Sequence, residues 1–195
     1  AEARGGRGEG REAMVCVVRL PAGVKRVVPK GVEAALKGLG LAHPGAVAFV
    51  RRTEKAGEVL RGVHEMVTFG PASVKVVRAL VTKRAFVRPL PGEEVEGGDE
   101  ADEEPARVPL SENRQVEEAP ALEGTGCICV EDLVHELKTA GEAADKVAEF
   151  LGAFQLAIPK TLVPKLKEAH RKPFAEGGVI GDRGKKIDEL IESMM

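Results

Sequence analysis

Along residues 14–88 two kinds of apolar pattern alternate. MVCVVRL (14–20) is an almost unbroken valine-rich run, the mark of a strand buried on both faces. PAGVKRVV reads as a loop. PKGVEAALKGLG then changes period, with Val32, Ala35, Leu36 and Leu39 at i, i+3, i+4 and i+7 on one helix face. Pro29 suits the first helical position and Gly40 the stop. AVAFV (46–50) is a second strand. Thr53 can cap a second helix whose inner face is Ala56, Val59, Leu60 and Val63. EMVTFG is a short third strand closed by Gly70–Pro71. The order β-α-β-α-β with short links predicts an α+β fold, a small antiparallel sheet covered on one face by two helices. A third helix, from about Ser73 to Arg84, turns Val74, Val77, Leu80 and Val81 inward. Lys75, Arg78 and Thr82 form its opposite stripe, and Lys83, Arg84 and Arg88 carry the charge past its end.

The pattern breaks at PLPGEEVEGGDEADEEPARVP (89–109), which is acidic, rich in Gly and Pro, and expected to be a mobile, solvated loop. Structure should resume at GCICVEDLVHELK, with a helix from about Glu131 that buries Leu133, Val134 and Leu137. EAADKVAEFLGAF predicts another, with Val147, Phe150, Leu151 and Phe154 inward. After a passage containing Pro and Lys (159–173), DRGKKIDELIESM ends as a helix with the stripe Ile187, Leu190, Ile191 and Met194. The expected organisation is an N-terminal arm (1–13), an α+β core (14–88), an acidic loop or insert (89–123) and a helical C-terminal part (124–195) packed on the core. A hydrophobic content of 43% over 195 residues supports a core along most of the chain. No run of about eighteen apolar residues is present, and the first residues lack the apolar centre of a signal peptide.

Charge changes the picture. Residues 1–92 carry 17 Lys and Arg against 7 Asp and Glu, a net +10; residues 93–123 carry 2 against 12, a net −10; the rest is near balance. A basic body points to a polyanion partner for the first half, against the alternative of a merely solvated basic face. With no Tyr or Trp and only six Phe, an aromatic platform for stacked bases is disfavoured. Folded RNA held through its phosphates and shape fits the composition better.

The densest cluster of chemical side chains is Cys127, Cys129, Glu131, Asp132 and His135. A thiol or metal enzyme centred on Cys127, Cys129 and His135 is the reading from a different functional class. Against it, Cys-x-Cys is too tight for the usual zinc spacer and His135 has no second histidine nearby. Acids at 131 and 132 suit a helix start. The three cysteines argue for free thiols in a reducing compartment. His43, His64, His135 and His170 fall on different elements, and neither a nucleophile elbow nor a P-loop is present. No catalytic residue, cofactor or metal is therefore expected. EGGVIGDRG has no strand before it; its glycines suit a tight backbone path or a close approach to another molecule.

Four stretches, in order, resemble the large-subunit ribosomal protein family uL30, called L7 in eukaryotes, in its longer eukaryotic and archaeal form. They are VVRLPAGVKRVVPK, FGPASVKVVRALVTKRAFVR, GCICVEDLVHEL and FAEGGVIGDRGKKIDELIESM. The resemblance runs from about Met14 to Met195 without the acidic insert. It implies a non-catalytic structural constituent of the large subunit, docked on rRNA near 5S rRNA and beside other ribosomal proteins. No membrane partner and no homo-oligomer is implied. The implied location is the cytoplasmic ribosome, with a nucleolar stage during assembly in a eukaryote. By position, Lys75, Arg78, Lys83, Arg84 and Arg88 would face rRNA, as would Lys25, Arg26 and Lys30 in the first loop. Gly177, Gly178, Gly181 and Arg183 would form a C-terminal turn approaching rRNA. A uL30-like assembly factor on pre-rRNA is the alternative within the family. The chain departs from the family pattern at Gly31, Val32 and Glu33, and at Glu189 and Glu192, where relatives tend to be basic.

Overall fold

In the computed structural model, residues 13–22, 28–87, 108–166 and 172–195 are described. Strand β1 (Met14–Arg19) is the centre of a five-stranded sheet of order β6 (Phe154–Gln155), β2 (Ala46–Arg51), β1, β3 (Val67–Gly70), β7 (Gly181–Asp182). All six of its residues are buried because both faces of the sheet are covered. Val15 and Val17 enter one apolar cluster; Met14, Cys16 and Val18 enter another. This is the physical meaning of the uninterrupted run at 14–20: alternation disappears when neither face meets water.

Helix α1 (Lys30–Gly38), strand β2 (Ala46–Arg51), helix α2 (Glu54–Gly62) and strand β3 (Val67–Gly70) follow. Both β2 and β3 pair antiparallel with β1, Val17 standing opposite Ala48 on one side and Phe69 on the other. Leu36, Leu41, Leu60 and Val63 from the two helices and their exits close the first face. The Thr53 hydroxyl accepts the Ala56 amide at 3.2 Å, as its cap position requires. Val59 differs from expectation and is 38% exposed, because it lies on the flank of the stripe that Ala56, Leu60 and Val63 define.

Helix α3 (Val74–Arg84) crosses the second face, its start capped by the Ser73 hydroxyl on the Val76 amide. Its buried stripe is Val76, Val77, Leu80 and Val81. Centring that stripe between Val77 and Leu80 draws in Val76 and leaves Val74, expected inside, 42% exposed. Strand β4 (Phe86–Val87) then pairs antiparallel with β5 (Val108–Pro109). The expectation of a loop lasting to residue 123 is corrected here. Residues 108–123 hold helix α4 (Arg114–Glu117) and a 3-10 turn at Pro120–Leu122, and they bury Leu110, Val116, Ala119 and Leu122. These four are spaced irregularly among Glu112, Glu117 and Glu118, so they leave no periodic signal. The part of the acidic segment before residue 108 lies outside the described residues, as do residues 1–12 of the arm.

Helices α5 (Val130–Thr139) and α6 (Ala144–Leu151) complete the second layer. Phe154 does not continue α6. Gly152, at φ +63°, ends the helix, and Phe154 joins Gln155 in strand β6, which pairs with β2. Its ring meets Phe49 edge-on at 5.9 Å. A short α7 (Val163–Leu166) precedes strand β7 (Gly181–Asp182), which pairs in parallel with β3, so the five-stranded sheet is mixed rather than wholly antiparallel. A 3-10 turn at Gly184–Lys186 leads into α8 (Ile187–Met194), whose expected stripe Ile187, Leu190, Ile191 and Met194 is buried in full.

One arginine ties the layers together. Arg51, at the end of β2, pairs with Asp145 at 2.7 Å and donates to the Ala140 and Gly141 carbonyls at 3.1 and 2.7 Å. Ala140 stands in the left-handed region at φ +53°, so the guanidinium satisfies the carbonyls that end α5. Among the described residues, no helix is long and apolar enough to cross a membrane.

Candidate nucleic-acid interface

The basic stripe is a consequence of how α3 buries its valines: the 3.6-residue period that sends Val77 and Val81 inward sends Lys75, Arg78 and Thr82 outward. Lys75, Arg78, Lys83 and Arg84 are all exposed. They are not equally free. Lys75 Nζ lies 2.7 Å from Glu192 on α8, and that hydrogen bond and charge raise its pKa. Arg78 lies 2.6 Å from Glu131 on α5. Arg84 donates to the carbonyl of Met195. Lys83 has no partner among the described residues. Exposed pairs of this kind contribute about 0–1 kcal/mol, so an arriving phosphate can displace or share them at small cost.

The C-terminal turn is built on the other side of β3. Gly177 and Gly181 have φ of +80° and +79°, which an L side chain resists. At Gly178 a Cβ would lie 1.8 Å from the Lys172 carbonyl oxygen, so the chain passes itself at backbone distance. These glycines therefore have an internal reason to be glycine. Arg183 is likewise turned to the protein. Its amide donates to Phe69 O at 2.8 Å, its Nε to the Thr68 hydroxyl at 2.9 Å, and a terminal nitrogen to Val179 O at 3.1 Å. The guanidinium lies 4.6 Å from the centre of the Phe174 ring, and burial lowers its pKa. It holds the turn against β3 rather than offering a free charge. Thr68, fully buried, completes the tie by donating to Gly181 O at 2.8 Å.

The expected site residues thus fall into groups. The α3 stripe and the C-terminal segment that carries the Gly177–Arg183 turn are tied through α8: Lys75 pairs with Glu192 at 2.7 Å, and Asp188 accepts the Ser73 amide at 2.9 Å. Lys30 is exposed at the start of α1, in the layer on the opposite face of the sheet. Lys25, Arg26 and Arg88 lie outside the described residues. Lys185 and Lys186 went unassigned although both are exposed immediately after Arg183, Lys186 within 5.9 Å of the Phe174 ring centre. The Lys-Lys pair was the available signal, absorbed into a helix start.

The cysteine cluster has a structural explanation. Cys129 caps α5, and Asp132 Oδ2 accepts the Ile128 and Cys129 amides at 3.0 Å each and the Cys129 thiol at 3.2 Å. Cys127 is buried in the core and His135 is exposed. Cys16, in β1, is fully buried, which raises its thiol pKa far above the ordinary range and makes it inert. Among the described residues, no group of three or more His, Cys, Asp and Glu side chains could hold a metal ion.

The cap makes a testable statement about pH. The Ile128 amide first, then the Cys129 thiol, lower the Asp132 pKa below the usual carboxylate value. A depressed folded-state pKa stabilises the fold above the unfolded value, near 4, and that contribution is lost as pH falls through the folded value. Asp132→Asn should therefore be less stable than the parent at pH 7, with the gap closing toward pH 2.5. Urea midpoints at both pH values measure this, and a gap that stays constant would contradict it.

No family model matches the chain. Among curated proteins it is 33% identical over 180 residues to the large ribosomal subunit protein uL30 of Yarrowia lipolytica, covering 92% of this chain and 64% of that protein. Identity to uL30 of Eremothecium gossypii is 31% over 188 residues, covering 95% of this chain and 68% of that one. The ribosome biogenesis protein RLP7 of Eremothecium gossypii is 36% identical over 148 residues, 76% of this chain and 47% of that protein. The chain spans about two thirds of the length of these uL30 relatives and about half of RLP7.

Proposed function

Given that the chain belongs to the uL30 family of large ribosomal subunit proteins, we propose that it is a non-catalytic structural constituent of that subunit, clamping folded rRNA near 5S rRNA and beside other ribosomal proteins. The observation that carries this reading is the exposed cation row on α3, a helix tied through α8 to the segment that carries the C-terminal turn. A helix packed over a sheet holds Lys75, Arg78, Lys83 and Arg84 at fixed spacing, and fixed cations meet duplex phosphates without reading bases. Lys185 and Lys186 extend the row. Lys30 adds charge from the start of α1, and Lys25, Arg26 and Arg88, outside the described residues, are assigned to the same role. Gly177, Gly178 and Gly181 let RNA approach the turn closely, while Arg183 keeps the turn in place. The protein works in cytoplasmic ribosomes, with a nucleolar stage during assembly in a eukaryote.

Binding to a folded rRNA fragment, followed against salt, tests the mechanism. About five engaged phosphates correspond to a log K against log salt slope of about −4 to −5. A flat response would remove the phosphate reading. Similarity to RLP7 favours one second reading, a factor that binds pre-rRNA and leaves before maturation. Sedimentation of cell extracts separates the two: a subunit constituent travels with translating ribosomes in equal stoichiometry to other large-subunit proteins, a factor with precursors alone.

A further inference from the structure

On the face of the sheet opposite α3, a groove of about 330 Å³ opens between α2 and strands β1, β3 and β7. Its floor is apolar: Val15, Leu60 and the partly exposed ring of Phe69. Its rim is basic: Arg52, Arg61 and His64 line it, and no carboxylate does. Two glycines keep it open. A Cβ at Gly57 or at Gly181 would meet no heavy atom within 4 Å. Gly181 is held to glycine by its φ of +79°. Gly57 sits in a helix where any residue fits, so its effect is to leave the groove unfilled.

The rim cations differ from those on α3. Among the described residues, Arg61 uses only its Nε, on its own helix at Gly57 O, 3.2 Å away. The Arg52 guanidinium has no partner among the described residues. His64, exposed beside them, meets the Arg61 carbonyl through Nδ1 at 2.8 Å. Unneutralised cations over an apolar, aromatic floor match a ligand that is flat and apolar at one end and anionic at the other. We propose that this groove takes one unpaired nucleotide of an RNA, its base stacked on Phe69 and its phosphate on Arg52 and Arg61. One phenylalanine makes a place for one base, not a platform for several, so the scarcity of aromatic residues is no obstacle. RNA would then be held on both faces of the sheet. The choice of RNA over an acidic peptide rests on the proposed rRNA role.

The test uses the whole chain and a short single-stranded RNA carrying one central 2-aminopurine, whose fluorescence falls on stacking. The parent protein should quench it saturably. Phe69→Leu keeps an apolar floor and should weaken binding about tenfold, the scale of one lost base stack. Arg52→Gln with Arg61→Gln should make the salt slope shallower by about 0.7, one single-strand phosphate's worth. Gly57→Leu fills the groove without touching its charge and should abolish quenching while leaving the melting temperature unlowered. Because it does not disturb the core, it decides the matter even if Phe69→Leu folds poorly. Quenching unaffected by Gly57→Leu overturns the proposal. Binding of a folded rRNA fragment without any quenching overturns the groove alone; failure to bind either RNA overturns the groove and the rRNA role together. Capture of an acidic aromatic peptide that Gly57→Leu abolishes, with RNA unaffected, makes it a protein-docking site and overturns the proposal.

Discussion

Gly70→Ala should lower the melting temperature by about 6–12 °C, more than any change to the surface charge. A Cβ at position 70 would stand 2.3 Å from the Gly184 carbonyl oxygen and 3.1 Å from Ile187 Cβ. The first of these is backbone and cannot rotate away. Either the end of β3 or the Gly184–Lys186 turn must move, and that turn is the root of α8. Movement there strains the Arg183 amide bond to Phe69 O and the burial of Ile187, which is complete. Overpacking of this kind costs about 1–3 kcal/mol, here expected at its upper end, and each kcal/mol is about 2–4 °C for a chain of this size. Because the C-terminal turn sits on β3, the same variant should bind rRNA more weakly. Gly62→Ala is the control: a Cβ there meets nothing within 4 Å, and stability should hold within about 0.5 kcal/mol. Equal melting temperatures for the parent and Gly70→Ala would mean that β3 and the turn do not approach as described.

Removing the α3 cations should have the opposite profile, a large loss of binding with little loss of fold. In Lys75→Gln, Arg78→Gln, Lys83→Gln the salt slope should become shallower by about 2.7, and affinity at 0.1 M salt should fall by about 10²–10³. Stability should change by about 1 kcal/mol or less, since the Glu192 and Glu131 pairs are exposed. The same geometry gives the converse. Glu131→Gln and Glu192→Gln release Arg78 and Lys75 from their internal partners and should tighten binding a few-fold. Binding that is indifferent to all five substitutions would place the RNA on another surface.

What could be read from local pattern was what depends on local pattern. Unbroken apolar runs located β1 and β2, and 3.6-residue spacing located α1 and the buried stripe of α8, because burial on this scale is encoded within about ten residues. Thr53 and Ser73 were legible as starts, Thr53 as a named cap, since a cap needs only the next three residues. The stretch 108–123 was not legible. Its four buried residues are irregularly spaced and surrounded by acids, and only contact with the α3 layer makes them core. Strands β6 and β7, two residues each, form only because the edges of β2 and β3 are there to pair with them.

Charge divides in the same way. Sequence alone determined that the first half is basic, that α3 carries a cationic stripe and that the aromatic content is low, since these are sums and spacings along one chain. Tertiary structure decided which of those cations are available. Lys75 and Arg78 meet acids 117 and 53 positions away, and Arg183 is spent on Thr68, 115 positions distant. Among the described residues, it likewise left Arg52 and Arg61 without an acid. A charge acts through its neighbours within a few ångströms, and for these residues the neighbours come from segments that only folding brings together.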